Sequence, residues 1–129
     1  MATEACGAGS LKRSVLLLPT GFAVFVEVAR KPAELRQGLS GRTWIGNYQG
    51  MLFVQPKTGV YRYWMHSVLI PLDIIWLDDH LAILEMYTHA TPGSTFPLGS
   101  CLASKYALEL AAGMVDRYGL RVGHVLRVC

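Results

Sequence analysis

The stretch Leu72-Asp73-Ile74-Ile75-Trp76-Leu77 sets one carboxylate inside an otherwise apolar run. In an extended strand successive side chains point to opposite faces, so Asp73 shares a face with Ile75 and Leu77, while Leu72, Ile74 and Trp76 share the other. Neither face offers the acid a polar neighbourhood. Glu27, between Val26 and Val28, and Glu109, between Leu108 and Leu110, repeat the problem. Burying one unpaired carboxylate costs several kcal/mol, against a total domain stability of roughly 5–15 kcal/mol, so a chain cannot carry three of them uncompensated. The fold has to bring a cation or backbone N–H groups to each acid, or keep it neutral. Arg42, Arg62 and His66 are the candidate partners.

The surroundings of these acids read as strands. Beyond Pro19-Thr20-Gly21 the chain alternates, with Phe22, Val24, Val26 and Val28 on one side and Ala23, Phe25, Glu27 and Ala29 on the other. Strands are expected at 14–18 and 22–29, joined by that turn, and a short helix over 31–41, with Pro32 in its first turn and Gly38 or Gly41 as its stop. A turn-rich loop, 45–50, leads to an apolar strand at 51–55, and 56–59 turns the chain back. Alternation in 60–67 sets Tyr61, Tyr63 and Met65 against Arg62, Trp64 and His66 and predicts a further strand. Residues 72–79 and 80–87 form a hairpin about Asp78-Asp79. A long loop covers 88–101, then come a strand at 105–110, a short helix over 112–119 and a closing strand at 124–128. The expected fold is mainly β with some α+β character: an antiparallel β-sandwich or barrel of about eight strands with two short helices. With 129 residues and 52% apolar content, one domain over 13–129 after a flexible leader, 1–12, can bury its own core without disulfides or metal.

Several function classes are disfavoured. The net charge of +3 is spread along the chain, and the two basic pairs, Lys12-Arg13 and Arg30-Lys31, lack the clustered, aromatic-interleaved context of a nucleic-acid surface. Cys6, Cys101 and Cys129 include no CxxC, and His66, His80, His89 and His124 are isolated, so neither a metal site nor a cofactor is expected. Lys12-Arg13 followed by an apolar run resembles an export signal, but Pro19-Thr20-Gly21 splits the run and strand alternation follows. No stretch reaches the ~20 apolar residues of a membrane span. A soluble, cytoplasmic protein with no membrane partner is the expectation.

Four segments, "EVARKPAELRQGLSGR", "GMLF", "YWMHSVLIPLDIIWLD" and "YALELAAG" followed by "GLRVG", resemble in order and spacing the bacterial and archaeal family catalogued as domain of unknown function 192. The resemblance covers about residues 25 to 126. It implies a mostly β, sandwich-like fold with no established activity, in a family many of whose members carry export signals. The matching positions are the helix segment Leu35-Arg36-Gln37-Gly38-Leu39 with Arg42 after it, Trp64 and Met65, Pro71, Leu72 and Asp73, and Glu109 near the end. Two positions depart: Ser40 stands where the family often has methionine, and Ser67 where it has asparagine, exchanging an amide's two donors and an acceptor for one hydroxyl.

Three functional readings follow, beside the plain one in which each acid only fixes strand register. The first is a small-molecule binding module whose polar cleft gathers Arg42, Trp64, His66, Ser67, Asp73 and Glu109 around a small polar or anionic ligand. The second is a hydrolase-like enzyme with Asp73 and His66 as its acid/base pair. The third is a structural or interaction domain, with Trp44 and Tyr48 at a site rim or a subunit contact and a homo-oligomer left open. Cys101 as a nucleophile beside His66 or His89 is the weakest candidate.

Overall fold

A computed structural model describes residues 11–99 and 101–129. Among these residues the chain forms β1 (Lys12–Leu17), β2 (Ala23–Ala29), α1 (Pro32–Gln37), β3 (Gln49–Gly59), β4 (Leu72–Leu77), β5 (Ile83–Ala90), β6 (Ser104–Ala111), α2 (Met114–Tyr118) and β7 (Arg127–Val128). The expected leader lies outside the described residues except for Leu11 and Lys12, and Lys12 already opens β1. No helix among the described residues is long and apolar enough to cross a membrane.

The protein is mainly β: the described residues hold two short helices and seven strands, and the strands make one sheet in the order β5-β4-β6-β3-β2-β1-β7. This corrects the expected all-antiparallel arrangement, because β2 and β3 run parallel, from Phe25 beside Gln49 to Ala29 beside Phe53. The reason lies in the connection. α1 and the loop after it carry the chain back along the sheet, so β3 starts at the same end as β2, which a tight turn cannot arrange. The sheet curls. Its two ends meet through the C-terminal segment: Leu126 donates to Leu81 and Val125 bridges Ala82, while Val128 pairs with Leu16 on the opposite edge.

Both faces of the sheet are covered. Val24, Val26, Val28, Leu52, Val54, Ile75, Leu77, Leu108 and Leu110 fill the inside of the curl, where Met114, Val115 and Tyr118 of α2 plug it. Ala29, Met51, Phe53, Leu72, Ile74, Trp76 and Ala107 form the second face, packed under Leu35, Leu39, Ile45, Met65 and Val68. A strand covered on both sides needs no polar face, which is why all six residues of β4 are buried.

The eighth expected strand, 60–67, does not form. Its alternation is real, since Met65 is buried and Trp64 and His66 are exposed, but its backbone partner is the loop that follows β5. Tyr63 and Leu98 exchange two hydrogen bonds of 2.9 and 2.7 Å, and Met65 donates to Ser94. One bridge is all that results, and Ser67, with φ 61°, turns the chain away. Likewise residues 56–59 do not turn; they continue β3, whose register against β6 shifts between Val54 and Gly59. The Asp78-Asp79 hairpin is present, with Asp78 Oδ1 accepting from the N–H groups of His80 and Ala82.

Asp73 points to the inside of the curl and is fully buried, and among the described residues no cation pairs with it. Its Oδ2 accepts from the backbone N–H of Gly113 at 3.0 Å and Val115 at 2.9 Å, and its Oδ1 from that of His89 at 2.9 Å. Each donor is one the secondary structure leaves over. Gly113 is the N-cap of α2 and has no side chain to cap with, so Asp73 caps the helix from a strand forty residues earlier. His89 sits where β5 inserts an extra residue, since Leu72 pairs with Ala90 but Ile74 with Tyr87, and its φ of 55° turns its N–H toward the acid. Asp73→Asn keeps the shape and presents an NH₂ to at least one of these donors. We expect it to lower unfolding free energy by about 2–4 kcal/mol in urea titration, with exposed Asp79→Asn within about 0.5 kcal/mol of the parent.

Candidate functional site

The other two acids lie on the second face of the sheet, in one cross-strand row. Strand register orders that row Ile74, Glu109, Met51, Glu27, Arg13. At about 4.8 Å per strand, the two glutamates stand roughly 10 Å apart with Met51 between them. A hollow opens on either side.

The first hollow, about 620 Å³, is lined by Arg13, Phe25, Glu27, Arg42, Trp44 and Gln49, among others. Arg42 Nη1 meets Glu27 Oε1 at 2.6 Å, both side chains being half-buried. Glu27 thus receives its cation from the loop that follows α1.

The second hollow, about 450 Å³, has Glu109 in its floor. Gln37, Gly38 and Ser40 form one wall, Phe53, Gln55 and Tyr63 another, and Trp64, His66, Arg36 and Arg62 stand around it. α1 is short but well started, since the N–H groups of Arg30 and Lys31 both donate to Glu34 Oε1. It stops at Gly38, whose φ of +47° excludes most side chains and where a Cβ would come within 3.1 Å of the Phe53 ring. That close approach shapes the wall. Tyr63 packs edge-on to Phe53 and Trp76 at centroid distances of 5.5 and 6.1 Å, and its hydroxyl accepts from Gln55 Nε2. Trp64 and His66 lie ring to ring at 5.0 Å.

Glu109 is the acid left without compensation. It is 4% exposed, and among the described residues no hydrogen-bond donor or cation reaches its carboxyl. Burial pushes its pKa up to about 8, so near neutral pH the group is largely protonated. Burial, with the Glu109 charge adding to it, also pushes the Tyr63 hydroxyl up to about 12, against the effect of the Gln55 hydrogen bond. The floor of this hollow therefore holds an acid able to donate a hydrogen bond when protonated, or to receive a cation when ionised.

The structure divides the sequence-derived site. Trp64, His66 and Glu109 meet in the second hollow; Arg42 faces the first. Asp73 opens into neither of them and lies across the sheet from His66, with both oxygens occupied, so Arg42, His66 and Asp73 do not form one cleft. Ser67 is exposed, and its carbonyl accepts from Gly41 N–H. Arg62 contacts Cys101, with Nη2 at 4.0 Å from Sγ. Arg36, Gln55, Phe53 and Tyr63 were not picked out as site residues; Gln55 shares a strand face with Met51 and Phe53, which was the one local signal available. Among the described residues no three metal-binding side chains converge.

Comparison with known proteins places this arrangement in context. The family model for domain of unknown function 192, described as uncharacterized ACR, matches residues 16–128. A protein of Sinorhizobium meliloti 1021, described provisionally as a transcription regulator, superposes with a TM-score of 0.88 at 30% identity, covering 95% of this chain and 98% of its own. A protein of unknown function from Novosphingobium aromaticivorans DSM 12444 gives a TM-score of 0.85 at 26% identity, over 98% and 91% of the two chains. No curated protein matches the chain.

Two measurements test the fates of these acids. In the unfolded chain Glu109 ionises near its ordinary 4.5, in the native state near 8, so between those values the native state holds a proton that the unfolded chain has released. Stability therefore falls as pH rises through that window. Glu109→Gln removes the dependence. We expect its urea midpoint to match the parent at pH 4.5 and to exceed it at pH 8 by about 2–5 kcal/mol of unfolding free energy. A difference that stays constant with pH would show that the carboxyl is not held protonated by burial. Arg42→Gln, which breaks a half-buried pair, should cost about 1 kcal/mol and weaken further in effect as salt is added.

Proposed function

The chain belongs to the domain of unknown function 192 family, and from that premise and the geometry of its second face we propose that it is a small-molecule binding module, with its site in the hollow over Glu109. One observation carries the reading: a carboxyl 4% exposed, unpartnered among the described residues, forms part of the lining of a cavity. Fold stability alone would favour an apolar residue there, as at the neighbouring Met51 and Ile74, whereas a ligand group bonding to the acid would offset its burial. The volume lies within the range of small-molecule sites, and aromatic walls with a few directed polar groups are what such sites use.

The acid/base reading with Asp73 and His66 draws no support from their positions. A nucleic-acid role, prompted by the description of the Sinorhizobium protein, finds no recognition element among the described residues: the helices have six and five residues. An interaction role has one observation in its favour, the exposure of Phe25 at 58% and Trp44 at 70% beside the first hollow. A strict monomer in light scattering counts against self-association through that surface.

A thermal-shift screen against polar metabolites tests the binding reading. A ligand at a hundred times its Kd stabilises the native state by about 2.7 kcal/mol, a rise in Tm on the order of ten degrees for a domain of this size. We expect at least one compound to do so with the parent chain and to lose most of the effect with Trp64→Ala, whose side chain is 54% exposed. A broad panel without any shift would refute the reading.

A further inference from the structure

We propose that the hollow over Glu109 takes a small zwitterion, its ammonium end on the Glu109 carboxylate and its anionic end among Arg36, Arg62 and His66; the inference rests on the binding reading above and names its ligand class. Once ionised, the floor needs a cation. A pure anion would meet Glu109 as a like charge or leave it protonated, whereas an ammonium group supplies both the charge and the N–H donors that the carboxylate lacks among the described residues. Phe53, Tyr63 and Trp64 add aromatic surface, to which ammonium groups are attracted.

The periphery carries the opposite requirement. Arg36 and Arg62 line the hollow from exposed positions, and among the described residues no carboxylate pairs with either. A guanidinium presents a fork of donors suited to a carboxylate. Acid in the floor and cations around it thus describe a ligand with a positive and a negative end, of a size that about 450 Å³ admits.

Binding is coupled to a proton. At neutral pH Glu109 holds one, and accepting an ammonium group requires the carboxylate, so that proton leaves to solvent while the ligand keeps its own; no covalent bond of the ligand changes. The ionisable groups lining the hollow with Glu109 are Tyr63, which stays protonated, His66, Arg36 and Arg62; next to the acid β3 and β4 present Met51, Phe53, Leu72, Ile74 and Trp76, with Gln55 and then Lys57 further along β3. Glu27, beyond Met51, is already paired with Arg42.

The probe is a ladder of ω-amino acids, from glycine to 6-aminohexanoate, with butylamine and hexanoate as one-ended controls, measured by calorimetry on the full chain between pH 6 and 8. We expect one length to bind best, both one-ended controls to bind at least about tenfold more weakly, affinity to rise about tenfold per pH unit below the carboxyl's pKa with release of a proton, and Glu109→Gln to lose about tenfold or more. Glu109→Gln is expected to be the more stable protein, so lost binding in it is not lost folding. Arg62→Gln should weaken the zwitterion and leave butylamine unchanged. Binding of hexanoate in preference to the amino acids, or ladder binding indifferent to pH and to Glu109→Gln, would overturn the zwitterion while leaving a small-molecule site. No binding by any rung would also overturn it, and the metabolite screen then decides the site itself.

Discussion

The carboxylate of Asp73 holds the interior of this fold in place. Three backbone N–H groups converge on it from two elements that are distant in the chain, the inserted residue of β5 and the start of α2. Oriented N–H dipoles take the place of a cation at this carboxylate. α2 depends on this directly, because Gly113 gives it no cap of its own. Once started, α2 places Met114, Val115 and Tyr118 against the inner faces of the strands. The far end of the helix is tied down separately: Tyr118 donates to the Asn47 carbonyl and Thr20 donates to the Tyr118 carbonyl, each at 2.6 Å.

The three acids embedded in apolar strands meet three different ends. Asp73 is solvated by backbone, Glu27 by the Arg42 guanidinium, and Glu109 by nothing among the described residues, so it keeps its proton. The first two are explained by the fold, because removing either would leave donors or a cation without a partner. The third opposes the fold, since a hydrophobic residue at that position would pack without penalty. An uncompensated group facing a cavity is where structural requirements stop accounting for the residue, and it is there that the proposed binding role is placed. One row of the sheet holds both glutamates, ten or so ångströms apart, so the two hollows open on either side of Met51, within a face that is otherwise one packed core.

Some of this was legible residue by residue. Alternation over 22–29 marked β2 and its faces, Asp78-Asp79 marked the β4–β5 turn, and the unbroken apolar run of Met51 to Val54 marked a strand covered on both sides. Glu109 was identifiable as an acid in an apolar strand, whereas the alternation at 60–67, with large rings on both faces, did not say that Trp64 and His66 would be the pair turned outward. What misled was the same alternation at 60–67: periodicity reports which side chains turn inward, not what the backbone bonds to, and Tyr63 found its partner in the loop at Leu98. The grouping of Arg42 with His66 and Asp73 failed because strand parity assigns relative faces within one strand only; whether Asp73 shares a face with residues of a separate segment depends on how the sheet is assembled.

The chain's own order of residues was therefore enough to determine a mainly β domain, the position of its hairpin and short helices, and the existence of three acids that had to be accounted for. Each of these follows from local geometry, period two in strands and the conformational demands of proline and glycine. Only the tertiary structure decided that the strands form one curled mixed sheet, that Asp73 is served by backbone and Glu27 by Arg42, and that Glu109 faces a hollow with no partner among the described residues. Those outcomes depend on which donors arrive from residues tens of positions away, and such distances are set by strand pairing and closure of the sheet.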